Sequence, residues 1–419
     1  MPEIIEIFCM LGVFLLFCAS PLNTFKSETN NYYFNLIINL NFLLLFSILP
    51  LQISKYAIYI LLALLFITIK NYRTFKKNIK NIKIDKLRIT LIILSFVVIA
   101  VQVASQLELG WDAKWFWYIK SLFYTQNQTF KELSNYIYND FHPHLGSFLW
   151  AFFRNFSINE YEYTGRLFYV FFYIIGINFI STNILKNKNQ NAILFIFLIV
   201  LTQKYIYFSG LQEVLIFTTL IFISKFILIF LKERKFIYLF LIALSVNLVI
   251  WLKAEGIAYA VITLLVVNLI SKLNIKFRIS FNLLFLSFIF FKIMIYKFFE
   301  IKINDQPYYL EYLLTLDLEI LIYKLYNIII YLSYNSFKNI ILLMVPIIIF
   351  LNYKRIFKDE YLRLICVFFI LNITFIFSAY IFREMEIVHS LKTTIDRLVF
   401  TSSGFYLVFL INQIKKYIN

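Results

Sequence analysis

A few residues of this sequence combine reactive side chains with positions at the edges of long apolar runs: Trp111, Asp112, His142, His144, Glu213, Lys253, Glu255, Asp396 and Arg397. Asp112 belongs to Gly110-Trp111-Asp112-Ala113-Lys114-Trp115, ahead of an aromatic-rich stretch over 113–124 that reads as a helix lying in the headgroup layer. Two readings of Asp112 stand side by side. As an N-cap it accepts hydrogen bonds from the first free N–H groups of that helix. As a carboxylate held just above a membrane it serves as a general base or a metal ligand. His142 and His144 flank Pro143, which favours extended backbone before it. Such a pair suits a metal ion or a phosphate, yet falls short of the three or four protein ligands usual for zinc. A solvated loop is the plain alternative.

Glu213 and Glu255 stand at the ends of apolar runs, where an acid commonly marks a solvated boundary and no more. Glu213 also precedes an apolar run whose helix N-terminus it would stabilise. Lys253 either pairs with Glu255 or extends its charged end toward water. Residues 383–397 hold Arg383, Glu384, Glu386, His389, Lys392, Asp396 and Arg397, read by default as a solvated external loop. Asp396-Arg397 is the exception, because charges at a membrane edge are costly unless paired or functional. Trp111 and Trp115 are suited to anchor the loop at the interface, as tryptophan commonly does.

The elements that must position these residues follow from composition. The chain is 61% hydrophobic and only 15% charged, where a soluble domain carries about 25% charged residues. The apolar excess falls in blocks such as 4–19, 33–49, 89–105, 211–231, 236–251, 279–298 and 367–381, close to the length that crosses a bilayer core. No soluble core buries so much apolar helix. The sequence therefore predicts an all-α, polytopic membrane protein, a single integral-membrane domain over 1–419 with roughly 12 to 14 spans of about 20 residues each. A cleavable signal peptide is not expected, because residues 1–6 lack a positive n-region. Cys9, Cys18 and Cys366 lie in apolar runs without metal or disulfide spacing. The net charge of +17 reflects basic residues in short loops, which set orientation, and does not imply nucleic acid.

Residues 70–88 carry Lys70, Arg73, Lys76, Lys77, Lys80, Lys83, Lys86 and Arg88 against Asp85, which makes the stretch cytoplasmic by the positive-inside rule. Counting spans from there places the long loop 108–161 on the opposite, external face. It also places 209–213 and 253–256 outside, and 186–188, 232–235 and 272–278 inside. If 300–338 stays external and partly lies along the membrane surface, basic 354–358 falls inside and 383–397 outside.

In this order the landmarks resemble the GT-C superfamily of membrane glycosyltransferases, specifically bacterial relatives of dolichyl-phosphate-mannose protein mannosyltransferases. They are Trp111-Asp112-Ala113, His142-Pro143, Gly210–Glu213, Lys253-Ala254-Glu255-Gly256 and Thr393-Thr394-Ile395-Asp396-Arg397. The resemblance touches about residues 108–400. It implies transfer of a monosaccharide, with inversion, from a polyprenyl-phosphate donor to a lipid, glycan or protein acceptor. The site would lie on the external face of a bacterial inner membrane, among membrane lipids. It implies Asp112 as base, with Arg397, Lys253 and His142 on the phosphate and Glu213 orienting sugar or acceptor. His144, Glu255, Asp396 and Trp111 join the expected substrate-binding set. Many members carry two adjacent acids at the loop start; Asp112 has no acidic neighbour, so a divalent metal stays open. The rival readings are an O-antigen polymerase or ligase, whose major loop would lie in the C-terminal half, a lipid-sugar flippase, which would line a path with mid-span charges, and a non-catalytic relative.

Overall fold

Within a bilayer every backbone N–H and C=O must be satisfied inside the chain, so long apolar runs fold as helices. In the computed structural model every regular element among the described residues is helical, the architecture of a polytopic membrane protein. The structure describes residues 2–19, 31–70, 86–106, 108–135, 142–182, 184–185, 187–271, 273–301, 317–383 and 386–418. Most of the basic anchor at 70–88, residues 136–141 of the long loop, 302–316 of the 300–338 segment, and Glu384 lie outside the described residues.

Inside the single domain expected over 1–419, the chain groups into two compact units. The first comprises Met1–Thr218, Trp251–Ala254 and Lys297–Ile301. It holds α1 (Pro2–Ala19), α2 (Asn31–Ile48), α3 (Ile53–Lys70) and α4 (Lys86–Gln106). A π-helical turn (Ala113–Tyr118) then runs into α5 (Ile119–Thr125), followed by α6 (Leu145–Arg154), α7 (Tyr163–Ser181) and α8 (Lys188–Thr202). The apolar window of α7 is 94% buried and that of α4 28%, so α7 is the central helix of the unit and α4 a peripheral one. Phe14 of α1 joins them, with its ring 5.1 Å from Phe153, 5.2 Å from Phe171 and 6.2 Å from Phe96.

Polar contacts sort the helix ends of this unit into two sets. At one end Glu6 of α1 accepts from the Ile158 N–H at 2.8 Å, Ser47 of α2 meets His144 at 2.7 Å, and Ser54 of α3 donates to Asn127. At the other end Asn178 donates to Tyr33 at 2.8 Å, and Arg88 donates to Asn178 and Ser181 at 2.6 and 2.7 Å. Glu6 thus shares an end with the loop that carries Asp112, and Arg88 with the opposite one. A topology reporter joined ahead of α1 is expected to match one inserted at Gln128 and to oppose one at Lys77. Agreement between the reporters ahead of α1 and at Lys77 would break this assignment.

The second unit comprises Thr219–Ile250, Glu255–Tyr296 and Lys302–Asn419. Most of α9 (Glu213–Glu233) and α10 (Phe236–Leu252) belong to it, with α11 (Gly256–Asn268), α12 (Ile275–Phe298), α13 (Leu318–Lys338), α14 (Ile340–Leu351), α15 (Glu360–Ile381) and α16 (Ile387–Ile418). Phe368 of α15 stacks on Phe405 of α16 with centroids 3.7 Å apart. Glu360 accepts from Arg234 at 2.7 Å and from the Ser271 N–H at 2.5 Å, so the chain after α9, the chain after α11 and the start of α15 share one end. At the opposite end of α15, buried Lys324 of α13 donates to the carbonyls of Ile381 and Arg383 at 3.2 and 2.6 Å, satisfying acceptors that a helix C-terminus leaves open. α13 and α14 meet at a bend of 99°, which lets α13 stay at that end while α14 leads away toward 353–359.

Among the described residues six helices are long and apolar enough to cross a membrane, or seven if the bent α13–α14 pair is one span. The roughly 12 to 14 spans expected from sequence treat every apolar run alike. Several of those runs, among them Lys188–Thr202, Phe236–Leu252 and Gly256–Asn268, form helices of 10–17 residues. At about 1.5 Å per residue such helices fall short of a bilayer core. A second difference concerns 383–397. Residues 387–397 are not loop; they are the opening turns of α16, whose 32 residues extend about 48 Å, well beyond the hydrocarbon thickness.

Candidate functional site

In the first unit the start of the long loop is seated on the turn that precedes α9. The Gly110 N–H donates to the Ser209 carbonyl at 3.1 Å, and the Lys114 N–H donates to Gly110 at 2.8 Å. Gly210 has φ +91, a left-handed conformation that glycine alone adopts without strain. A Cβ there would lie 2.6 Å from the Trp150 ring and 2.9 Å from Ala113 Cβ. Two distant pieces of chain, Gly110–Ala113 and Ser209–Glu213, are therefore in direct contact. Gly210→Ala is expected to destabilise the protein by about 2 kcal/mol or more through combined strain and overlap. Thermal unfolding in detergent reads this, and an unchanged midpoint would refute the close approach.

The helix expected over 113–124 is present, π-helical over Ala113–Tyr118 and α-helical after it. The helix begins at Trp111, so Asp112 lies inside its first turn with helical backbone angles and makes no side-chain capping bond; the capping reading is not realised. Its neighbours divide sharply: Ala113 is buried and Trp111 is 69% exposed, with Trp115 exposed as well. Trp117 turns inward and its ring lies 5.5 Å from His142, beside Phe116 at 5.3 Å. Buried Lys120 donates to the His142 carbonyl at 2.6 Å, which fixes the backbone just before Pro143.

His144 is fully buried. Besides Ser47 it meets the rings of Phe130 at 4.5 Å and Trp251 at 5.3 Å. The two histidines thus have different surroundings, one against the aromatic turn and one in the interior. Among the described residues no group of three or more His, Cys, Asp or Glu side chains is placed to hold a metal ion.

Glu213 is the first residue of α9 and 1% exposed. Lys253, just past α10, reaches it with Nζ 2.9 Å from the carboxylate. Lys253 thus has a partner, Glu213, that no local spacing suggests. Next to it, buried Gln212 donates to the Tyr169 hydroxyl at 3.0 Å, and that hydroxyl donates to the Gly146 carbonyl at 3.0 Å. This chain of donors ties the turn to the start of α6, two residues beyond His144. The first unit thus assembles Trp111, Asp112, His142, Glu213 and Lys253 at its loop end, with His144 behind them.

Glu255, Asp396 and Arg397 belong to the second unit. Glu255 precedes α11 without capping it, and Asp396 accepts from the Arg397 N–H at 2.8 Å. The Tyr380 hydroxyl, near the C-terminal end of α15, is bonded to Thr394 at 2.7 Å. That bond sets the 393–397 landmark against the C-terminal end of α15.

Sequence reading passed over Glu162 and Arg166, which form a bidentate pair with contacts of 2.6 and 2.5 Å under the Ser209–Glu213 turn. The usable signal was an arginine in the first turn of an apolar run with an acid four residues earlier, since a charge inside a membrane helix demands a partner. Gln212 and Tyr169 carried no such mark. Compared with protein-family models, curated proteins and solved structures, the chain matches none.

Proposed function

We propose that this chain is a glycosyltransferase of the GT-C kind. It moves a monosaccharide from a polyprenyl-phosphate donor to a hydroxyl of a lipid, glycan or protein acceptor, with inversion, on the non-cytoplasmic face of a bacterial inner membrane. The observation that carries this reading is the seating of Gly110–Ala113 on Ser209–Glu213. It puts a half-exposed carboxylate beside a turn that holds a buried acid and its lysine.

The donor's isoprenoid tail stays among the lipids while its phosphosugar sits in the headgroup layer. Asp112 accepts the proton of the acceptor hydroxyl, whose oxygen attacks the anomeric carbon. The bond from that carbon to the phosphate oxygen breaks, and its electron pair leaves with polyprenyl phosphate. Positive charge near the leaving oxygen lowers the barrier; Lys253, held by Glu213, supplies it, and His142 lines the same end. Exposed Trp111 and Trp115 anchor the loop in the interface.

A flippase would want mid-span charges lining a path. Lys292, the buried mid-helix lysine of α12, instead donates to the Ile250 carbonyl near the end of α10 at 2.7 Å, which favours a structural role. The test is purified protein in liposomes with a labelled polyprenyl-phosphate sugar and a hydroxyl acceptor. Labelled acceptor with released polyprenyl phosphate is the expected outcome. Translocation of the intact donor without transfer would overturn the proposal.

A further inference from the structure

The Ser209–Glu213 turn rests on a charge pair, a buried arginine with a partly exposed glutamate, that no landmark of the sequence marks. Arg166, in the first turn of α7, is 1% exposed. Its Nε and Nη2 hold both oxygens of Glu162, and its Nη1 donates to the Phe208 carbonyl at 3.0 Å. The Trp150 ring lies under the guanidinium at 5.8 Å, and its indole N–H donates to the Glu162 carbonyl at 3.1 Å. The far edge of that ring is what a Cβ on Gly210 would strike at 2.6 Å. One guanidinium therefore grips the residue before the turn while the ring it covers fills the space under the turn.

A buried ion pair is a weak way to stabilise a fold, because desolvation offsets the attraction, and well-packed apolar residues often do as well. What it supplies here is geometry: a planar fork with five donors, three of them engaged, which lysine cannot reproduce. We propose that Arg166 is a positioning residue, which sets the Ser209–Glu213 turn against Gly110–Ala113 and thereby places Glu213 and Lys253 beside Asp112. The functional half of this statement rests on the glycosyltransferase reading; the positional half does not.

The two halves separate by experiment. An ideal Cβ on Gly110 lies 2.8 Å from Ser209 Oγ, so Gly110→Cys with Ser209→Cys is close enough for a disulfide. In a full-length chain with Cys9, Cys18 and Cys366 replaced by alanine, mild oxidation is expected to cross-link this pair readily. Arg166→Lys is expected to cut the cross-linking rate roughly tenfold, the effect of losing a charged hydrogen bond to the turn.

The decisive variant is Arg166→Met with Glu162→Leu, which removes both charges and leaves neither stranded. It is expected to unfold at or above the parent temperature and still cross-link about as poorly as Arg166→Lys. A merely structural arginine would give a double variant with parental cross-linking, and that result overturns the proposal. If cross-linking falls as expected but no variant, parent included, transfers sugar, the positional inference stands and the glycosyltransferase reading fails.

Discussion

Lys253→Met is expected to destabilise the protein by about 3–5 kcal/mol, the cost of leaving a buried carboxylate without its ammonium. The Glu213 side chain is 2% exposed and that of Lys253 12%, so water does little to replace the lost charge. Glu213→Gln in the same background removes the stranded charge and is expected to recover most of the loss. Thermal unfolding followed by tryptophan fluorescence reads both steps. A single variant as stable as the parent would mean that the pair is solvated and that Lys253 does not depend on Glu213. On the proposed reaction, sugar transfer by the double variant is expected to stay low, because the cation that would stand beside the leaving phosphate is gone while the fold is intact.

Asp112→Asn is expected to leave the fold unchanged and to lower turnover by about 100- to 10,000-fold, the range for loss of a general base. No capping contribution is lost with it, because Asp112 lies inside the first helical turn and its side chain makes no capping bond. An N-cap aspartate would behave in the opposite way, costing about 1 kcal/mol in stability with little effect on rate. The two readings that stood even in the sequence are thus separated by measuring rate and stability on one variant.

The membrane class was legible at once, because apolar blocks leave no soluble alternative. The order of helix ends was legible too: Arg234 of the positive stretch 232–235, Ser271 beside the positive stretch 272–278 and Glu360 just after 354–358 meet at one end of the second unit. What the sequence hid were contacts between remote pieces. Lys253 stands two residues from Glu255, and the turn after α10 brings it to Glu213, far away in sequence. His144 reads as loop polarity but packs against Ser47, Phe130 and Trp251, because the apolar run that begins at Leu145 draws it inward. The charges of 383–397 suggested a loop. Residues 386–403 contain neither glycine nor proline, so nothing stops the helix once it leaves the hydrocarbon, and α16 starts at Ile387. Asp112 was singled out from its position, but the reason it has a fixed place is the glycine contact at Gly210, which only the folded chain displays.

The most direct test of lipid-linked glycosyl transfer is the polyprenyl phosphate released per labelled sugar moved to an acceptor, by purified protein in liposomes, with Asp112→Asn beside it. One polyprenyl phosphate per sugar from the parent, and a collapse of both in a normally folded Asp112→Asn variant, is the expected result. Equal transfer by parent and variant would contradict Asp112 as the base. A parent that releases no polyprenyl phosphate from any such donor would contradict the reaction itself.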